Sequence, residues 1–159
     1  MLIVADSSAL VALAVCEGLE LLPGLFQQIY VPQAVSDEVS ITGKPAAVQL
    51  REFLDGRVME IDSRRFVIEA GSLGRGELEA MALYRQLDAN RLLMDDRRVR
   101  RVAHLNDIAV IGTLGVLLAA REAMLVRNIG PYVERLRGSD VFFSDRLLEH
   151  ALRLAGEWE

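Results

Sequence analysis

The start of the chain most constrains its fold. Leu2, Ile3, Val4 and Ala5 form a short apolar run that stops at a carboxylate, Asp6. The small residues Ser7, Ser8 and Ala9 follow and lead into a helical apolar segment. The run reads as a buried strand. In an open α/β sheet, ligands are handled at the carboxyl ends of the strands. A carboxylate there is costly unless a cation, a partner or a proton answers it. The chain repeats the device at Asp95-Asp96, directly after Leu92-Leu93-Met94.

Between and beyond these two points the pattern alternates. Strands are expected at 2–6, 29–31, 58–61, 91–94, 108–111 and 141–143. Helices are expected at 7–16, 19–27, from Pro32 onward, 45–55, 76–88, after Asp96 to about 105, 113–123, 131–137 and 144–157. Pro32 suits a first helical turn, Gly74 and Gly76 precede a helix, and Ser144 suits an N-cap. Strands separated by helices mean βαβ units. The expected fold is therefore a three-layer α/β/α sandwich with a mostly parallel central sheet. With 159 residues, 52% hydrophobic and 26% charged, residues 1–159 read as one globular domain. Cys16 is the one cysteine, so no internal disulfide forms; it reads as a small buried filler. No apolar run is long enough to span a bilayer and no cleavable signal precedes the first strand, so a cytoplasmic protein with no membrane contact is expected.

Two glutamates interrupt apolar helix faces. Val31, Ala34 and Val35 share a face with position 38, which is Glu. The plainer reading is that the stripe ends and Glu38 reaches water. Ala80, Met81, Tyr84 and Leu87 form a second stripe, extended by Glu77 in the first helical turn, where the helix dipole favours a negative charge by itself. Glu79 falls on another face and is expected to be solvated. One of Asp95 and Asp96 is expected to cap the next helix. Four acidic positions at two strand ends and two helix faces suggest a carboxylate cluster for a divalent metal. All-oxygen donors select Mg²⁺ or Mn²⁺ over zinc. His104 and His150 have no metal-ligand spacing and read as structural or exposed.

Other chemistries lack their residues. There is no Walker loop, no dinucleotide fingerprint after the first strand and no nucleophile elbow. An Asp-x-Asp phosphatase needs an acid where this chain has Ser8, and a phospho-receiver needs a late lysine, whereas Lys44 is the only lysine. The net charge of −5 is a poor global match for a nucleic-acid binder, although Arg97, Arg98, Arg100 and Arg101 fall within five residues. Arg97, Arg100, Arg101 and His104 share one helical face, which reads either as a phosphate track or as plain solvated surface.

The stretches 3–10 (Ile-Val-Ala-Asp-Ser-Ser-Ala-Leu), 31–39, 74–83, 92–103 and 111–117 resemble, in order, the PIN-domain superfamily. More narrowly they resemble its VapC-like members with an Asp-Asp-x-x-x-Arg segment. The resemblance implies a PIN-like sandwich and a metal-dependent endoribonuclease that hydrolyses RNA phosphodiester bonds, often as the toxin of a toxin–antitoxin pair. It implies that Asp6, Glu38, Glu77 and one aspartate of the 95–96 pair form the acidic site. Metal would be held by Asp6, Glu77 and Asp95 or Asp96, with the other aspartate in support. Arg100 matches the family's arginine, as a phosphate contact or a partner for a carboxylate. Ser7 and Thr113, near strand ends, are candidate substrate contacts or helix caps. Leu19, Leu21, Leu22, Leu25, Phe26 and Ile29 are expected to be core, with any surplus suiting a homodimer or an antitoxin helix. A PIN-fold module that binds partners without catalysis is the alternative.

Overall fold

In a computed structural model the chain is described over residues 1–44, 46–62 and 73–158. Five strands form one all-parallel sheet: β1 (Leu2–Ala5), β2 (Gln28–Pro32), β3 (Val58–Met59), β4 (Arg91–Leu93) and β5 (Val110–Ile111), in the order β3-β2-β1-β4-β5. The helices are α1 (Ser7–Val15), α2 (Leu21–Leu25), α3 (Gln33–Val39), α4 (Ala47–Phe53), α5 (Arg75–Gln86), α6 (Arg97–Leu105), α7 (Thr113–Glu122), α8 (Gly130–Arg137) and α9 (Asp145–Leu154). The α/β architecture is the one expected, with a sheet that is wholly rather than mostly parallel.

The strand order carries the functional geometry. The chain runs outward from β1 through β2 to β3, then returns across the sheet to pair β4 with the other side of β1. The winding therefore reverses between β1 and β4, where an open parallel sheet leaves a crevice at its carboxyl edge. Asp6 follows β1 and Asp95 follows β4, so both fall at this reversal. The register sets Ile3 beside Arg91, Val4 beside Leu92 and Ala5 beside Leu93. Asn90 fixes its start: its N–H donates to the Leu2 carbonyl and its side chain accepts from the Leu2 N–H, both at 2.8 Å.

Ile3, Val4, Leu92 and Leu93 are fully buried, as unbroken apolar strands in a covered parallel sheet should be. Helix α5 packs across β1, β2 and β4, and α3 packs on α5. The pair is antiparallel: residue 34 meets residue 79, and residue 38 meets residue 76. Leu19, Leu22, Phe26 and Ile29 are buried and Leu25 half-buried, so the core takes up that apolar segment. As expected, these residues are mostly core, with only Leu25 half-exposed.

Several expectations change. Residues 141–143 are not a strand: Phe142 points outward, Val141 and Phe143 are half-buried, and the Val141 N–H bonds to Ser139 Oγ at 3.2 Å instead of to a strand. Alternating burial is the strand pattern, but it needs no ladder partner. Pro32 closes β2 and supplies the extended residue before α3 instead of lying inside the helix. The expected elements 19–27, 58–61 and 108–111 shrink to 21–25, 58–59 and 110–111. For the helix expected at 45–55, residues 47–53 are helical and Pro45 lies outside the described residues.

Leu93 sits at the centre of this arrangement with no exposed surface. Leu93→Ala should cost about 2–5 kcal/mol through lost transfer energy plus a residual cavity. Urea denaturation read by circular dichroism checks it.

Candidate active site

Asp6 is the N-cap of α1, in extended backbone at φ −98° and ψ 162°. Its N–H donates to the Leu93 carbonyl at 2.9 Å, clamping the end of β1 to β4. Its side chain is 3% exposed. Asp6 Oδ2 accepts from the Ser8 hydroxyl at 3.2 Å and from the Ser8 N–H at a long 3.5 Å. Burial pushes its pKa up to about 6, against the bonds from Ser7 and Ser8, and the negative charge of Glu77 adds to the rise. Among the described residues no arginine, lysine or histidine forms an ion pair with it. This is a buried carboxylate without a counter-charge, the condition that a bound cation would relieve.

Ser8 joins the two strand ends. Its Oγ accepts the Asp95 N–H at 3.1 Å while its proton goes to Asp6. From the sequence, Ser8 is a residue near a strand end that could bond phosphate or metal-bound water; its bridging role is foreshadowed only by the Asp-x-Ser spacing, which lets a side chain close a local turn.

The Asp95-Asp96 doublet divides its work. The Thr113 N–H donates to Asp95 Oδ1 at 2.7 Å and the Thr113 hydroxyl to Oδ2 at 2.6 Å. Thr113, fully buried, thus ties the end of β4 to the start of α7. Burial raises the Asp95 pKa, opposed by Thr113 and by the positive charge of Arg100. Gly112 is required beside them, because a Cβ there would stand 2.9 Å from Asp95 Oδ1 and 3.0 Å from Arg100 Nη1. Asp96 caps α6: its Oδ1 accepts from the N–H groups of Arg98 at 2.9 Å and Val99 at 3.2 Å. One aspartate of the pair was expected to be a cap, and it is Asp96.

Glu77 sits in the first turn of α5, where Oε2 accepts the Gly74 N–H at 2.7 Å and lies 3.8 Å from Arg98. Glu38, exposed at the end of α3, accepts from Ser7 Oγ at 2.8 Å. Gly76 makes room for it, since a Cβ there would stand 3.0 Å from Glu38 Oε2. Ser7 is the first residue of α1, not its cap. Glu79 is not solvated as expected: it accepts the Ala34 N–H at 3.2 Å, so α5 caps α3, and it pairs with Arg75 at 3.0 Å. The orphan N–H groups of a short helix explain the difference.

Asp6, Glu38, Glu77, Asp95 and Asp96 line one open cleft. They do not converge into a ready cage: among the described residues no three carboxylate, histidine or cysteine groups stand where they would hold a metal between them. Glu38 turns to Ser7, Glu77 to Gly74 and Asp95 to Thr113, as mutually repelling carboxylates do when local donors are within reach. Ser7, Arg97, Arg98 and Arg100 line the same cleft; Arg101 and His104 do not, so the expected four-residue basic face is split. His104 and His150 are both exposed, and Cys16 is buried with its thiol pushed up to about 11 by desolvation.

The model of a PIN-domain family, DUF3368, matches residues 2–157. The chain belongs to the PIN-domain family. PIN domains are in general nucleases that use divalent metal ions, in keeping with an all-carboxylate cleft at the sheet reversal. No curated protein matches the sequence. No helix among the described residues is long and apolar enough to cross a membrane.

The raised pKa of Asp6 sets a pH dependence. The folded chain holds this proton more tightly than the unfolded chain, so its contribution is full below pH 4 and is lost as pH rises to about 6. Asp6→Asn removes the term. In EDTA the variant should exceed the parent by about 3 kcal/mol at most at pH 7.5 and by little near pH 4.5. Chemical denaturation at the two pH values checks this; an equal difference at both contradicts it.

Proposed function

We propose that this PIN domain is a Mg²⁺- or Mn²⁺-dependent endoribonuclease that hydrolyses RNA phosphodiester bonds. We further propose that it serves as the toxin of a toxin–antitoxin pair, as a VapC-like protein acting as a homodimer and held by an antitoxin protein. The observation that carries the nuclease reading is Asp6: a buried carboxylate at the sheet reversal, with no cationic partner among the described residues and a pKa lifted chiefly by burial, to which the charge of Glu77 adds. The toxin role rests on the ordered resemblance of the acidic segments and on the Asp95-Asp96-x-x-x-Arg100 spacing.

The donor set fits a hard divalent cation. Asp6 and Glu77 would hold it, since the charge of Glu77 already reaches Asp6. Of the doublet, Asp96 would join them through Oδ2, because Oδ1 serves the α6 cap. Asp95, with both oxygens on Thr113, is the support that holds the end of β4 in place. Bound there, the metal would supply a Lewis acid for the scissile phosphate and a more acidic water.

The remaining steps belong to the side chains. Glu38 is the exposed acid at the cleft mouth, held by Ser7, and takes the proton of the attacking water at Oε1 or Oε2. Arg100 balances Asp95, and Arg97 at the rim meets the RNA backbone. Thr113 acts through Asp95 and not on substrate, because it is fully buried.

The second reading, a partner-binding PIN fold without catalysis, draws on the local bonds that Glu38, Glu77, Asp95 and Asp96 make and on the absence of a ready metal cage among the described residues. Incubation with mixed structured RNAs separates the two. Cleavage with Mg²⁺ or Mn²⁺ but not EDTA is expected, with losses of about 100-fold or more in Asp6→Asn, Glu77→Gln and Asp96→Asn. No cleavage with either metal, together with full tolerance of Glu38→Gln in partner binding, would favour the non-catalytic module.

A further inference from the structure

We propose that Phe142 and the cleft-facing side of α9 form a second wall for the RNA strand. One base stacks on the Phe142 ring, and neighbouring phosphates meet Arg146 and Arg153. This rests on the ribonuclease reading and extends the same cleft beyond its acids.

Position comes first. Phe142, Arg146, His150 and Arg153 line the cleft that holds Asp6, Glu38 and Glu77. Arg146, His150 and Arg153 follow at offsets of four and seven, which puts them on one side of the helix. The buried side of α9 is a different set, Leu148, Ala151 and Leu152.

Phe142 is 89% exposed, between half-buried Val141 and Phe143. The two flanking side chains anchor the segment against the core, so the ring is held out into the cleft. A large aromatic ring left in water at a cleft wall is the platform on which bases stack. Phe142 played no part in the acidic site, and its sequence pattern suggested only a strand.

The arginines supply the second half of the argument. Elsewhere on the C-terminal helices, arginines are committed to carboxylates: Arg121 to Glu157, Arg135 to Glu17, and Arg137 to Glu134 and Asp145. Among the described residues Arg146 has no ion pair, and Arg153 only lies over the Trp158 ring at 5.6 Å. On a chain of net charge −5, cations left unpaired beside an exposed aromatic ring are the local means of holding a polyanion. Glu149 faces the same cleft and opposes them, and Leu147 and Leu154 add apolar surface that a protein could also use. The unpaired arginines favour a nucleotide strand, which offers both a π-face and phosphates, over an apolar protein surface.

The test measures binding of a fluorescein-labelled single-stranded RNA to the Asp6→Asn protein by anisotropy in Mg²⁺, over a salt series. In that background Phe142→Ala should weaken binding about tenfold, and Phe142→Trp should restore it. Arg146→Ala with Arg153→Ala should flatten the slope of log K against log salt by about 1.4, two single-strand phosphates. Melting temperatures should not move, because all three side chains are exposed. Binding within twofold after Phe142→Ala, with the slope unchanged, overturns the inference even if the parent protein cleaves RNA. Loss of a dimer in sedimentation on Phe142→Ala, with RNA binding intact, overturns it too and makes the wall a protein interface. If the parent chain neither binds nor cleaves RNA with Mg²⁺ or Mn²⁺, the ribonuclease reading falls, and this inference with it.

Discussion

The pairing of β1 with β4 governs the site. Two strands far apart in sequence lie side by side because the winding reverses there, and both run toward the same edge. That pairing alone brings Asp6 and the Asp95-Asp96 doublet together. Two further bonds fix the junction past the last paired residues: Asp6 N–H to the Leu93 carbonyl, and Asp95 N–H to Ser8 Oγ. The remaining acids come from α3 and α5, which pack antiparallel so that Glu38 reaches the start of α5. Gly112 matters because the Asp95 carboxylate, held by Thr113, occupies the space a Cβ would need, while at Gly76 a Cβ would stand 3.0 Å from the Glu38 carboxylate, the exposed end of a flexible side chain.

The electrostatics follow from how each acid is stabilised. Glu77, Asp96 and Glu79 sit against helix N-termini, where backbone N–H groups and the helix dipole favour negative charge. Asp95 has Thr113 and the nearby Arg100. Asp6 has only Ser8 and the α1 N-terminus, and desolvation outweighs them. The acid with the least compensation is therefore the one at the centre of the crevice. Its demand for positive charge distinguishes a cleft suited to a cation from one that is merely acidic.

Much of this was legible in the sequence because it depended on local pattern. The unbroken apolar runs ending at Asp6 and at Asp95-Asp96 gave the buried strands, and the helical offsets of Glu38 and Glu77 gave their faces. A cap within the Asp95-Asp96 pair, though not which aspartate, and the cap at Ser144 were visible from residue type and position. What failed was non-local. Glu79 was read as solvated because its partner, the Ala34 N–H, lies 45 residues away. Residues 141–143 alternate like a strand but meet no ladder. Thr113 was a candidate substrate contact until the packing of α7 buried it on Asp95. The apolar segment near Leu22 could not be divided between core and partner surface without knowing that α2 packs on α7.

The central claim is that Asp6 is a ligand for a divalent cation. Diffraction at the manganese absorption edge from crystals grown with Mn²⁺ tests it most directly. The account predicts an anomalous peak within bonding distance of Asp6, shared with Glu77 and Asp96 and lost in Asp6→Asn. A well-ordered Asp6 with no peak beside it, or a peak bound elsewhere on the chain, would contradict it.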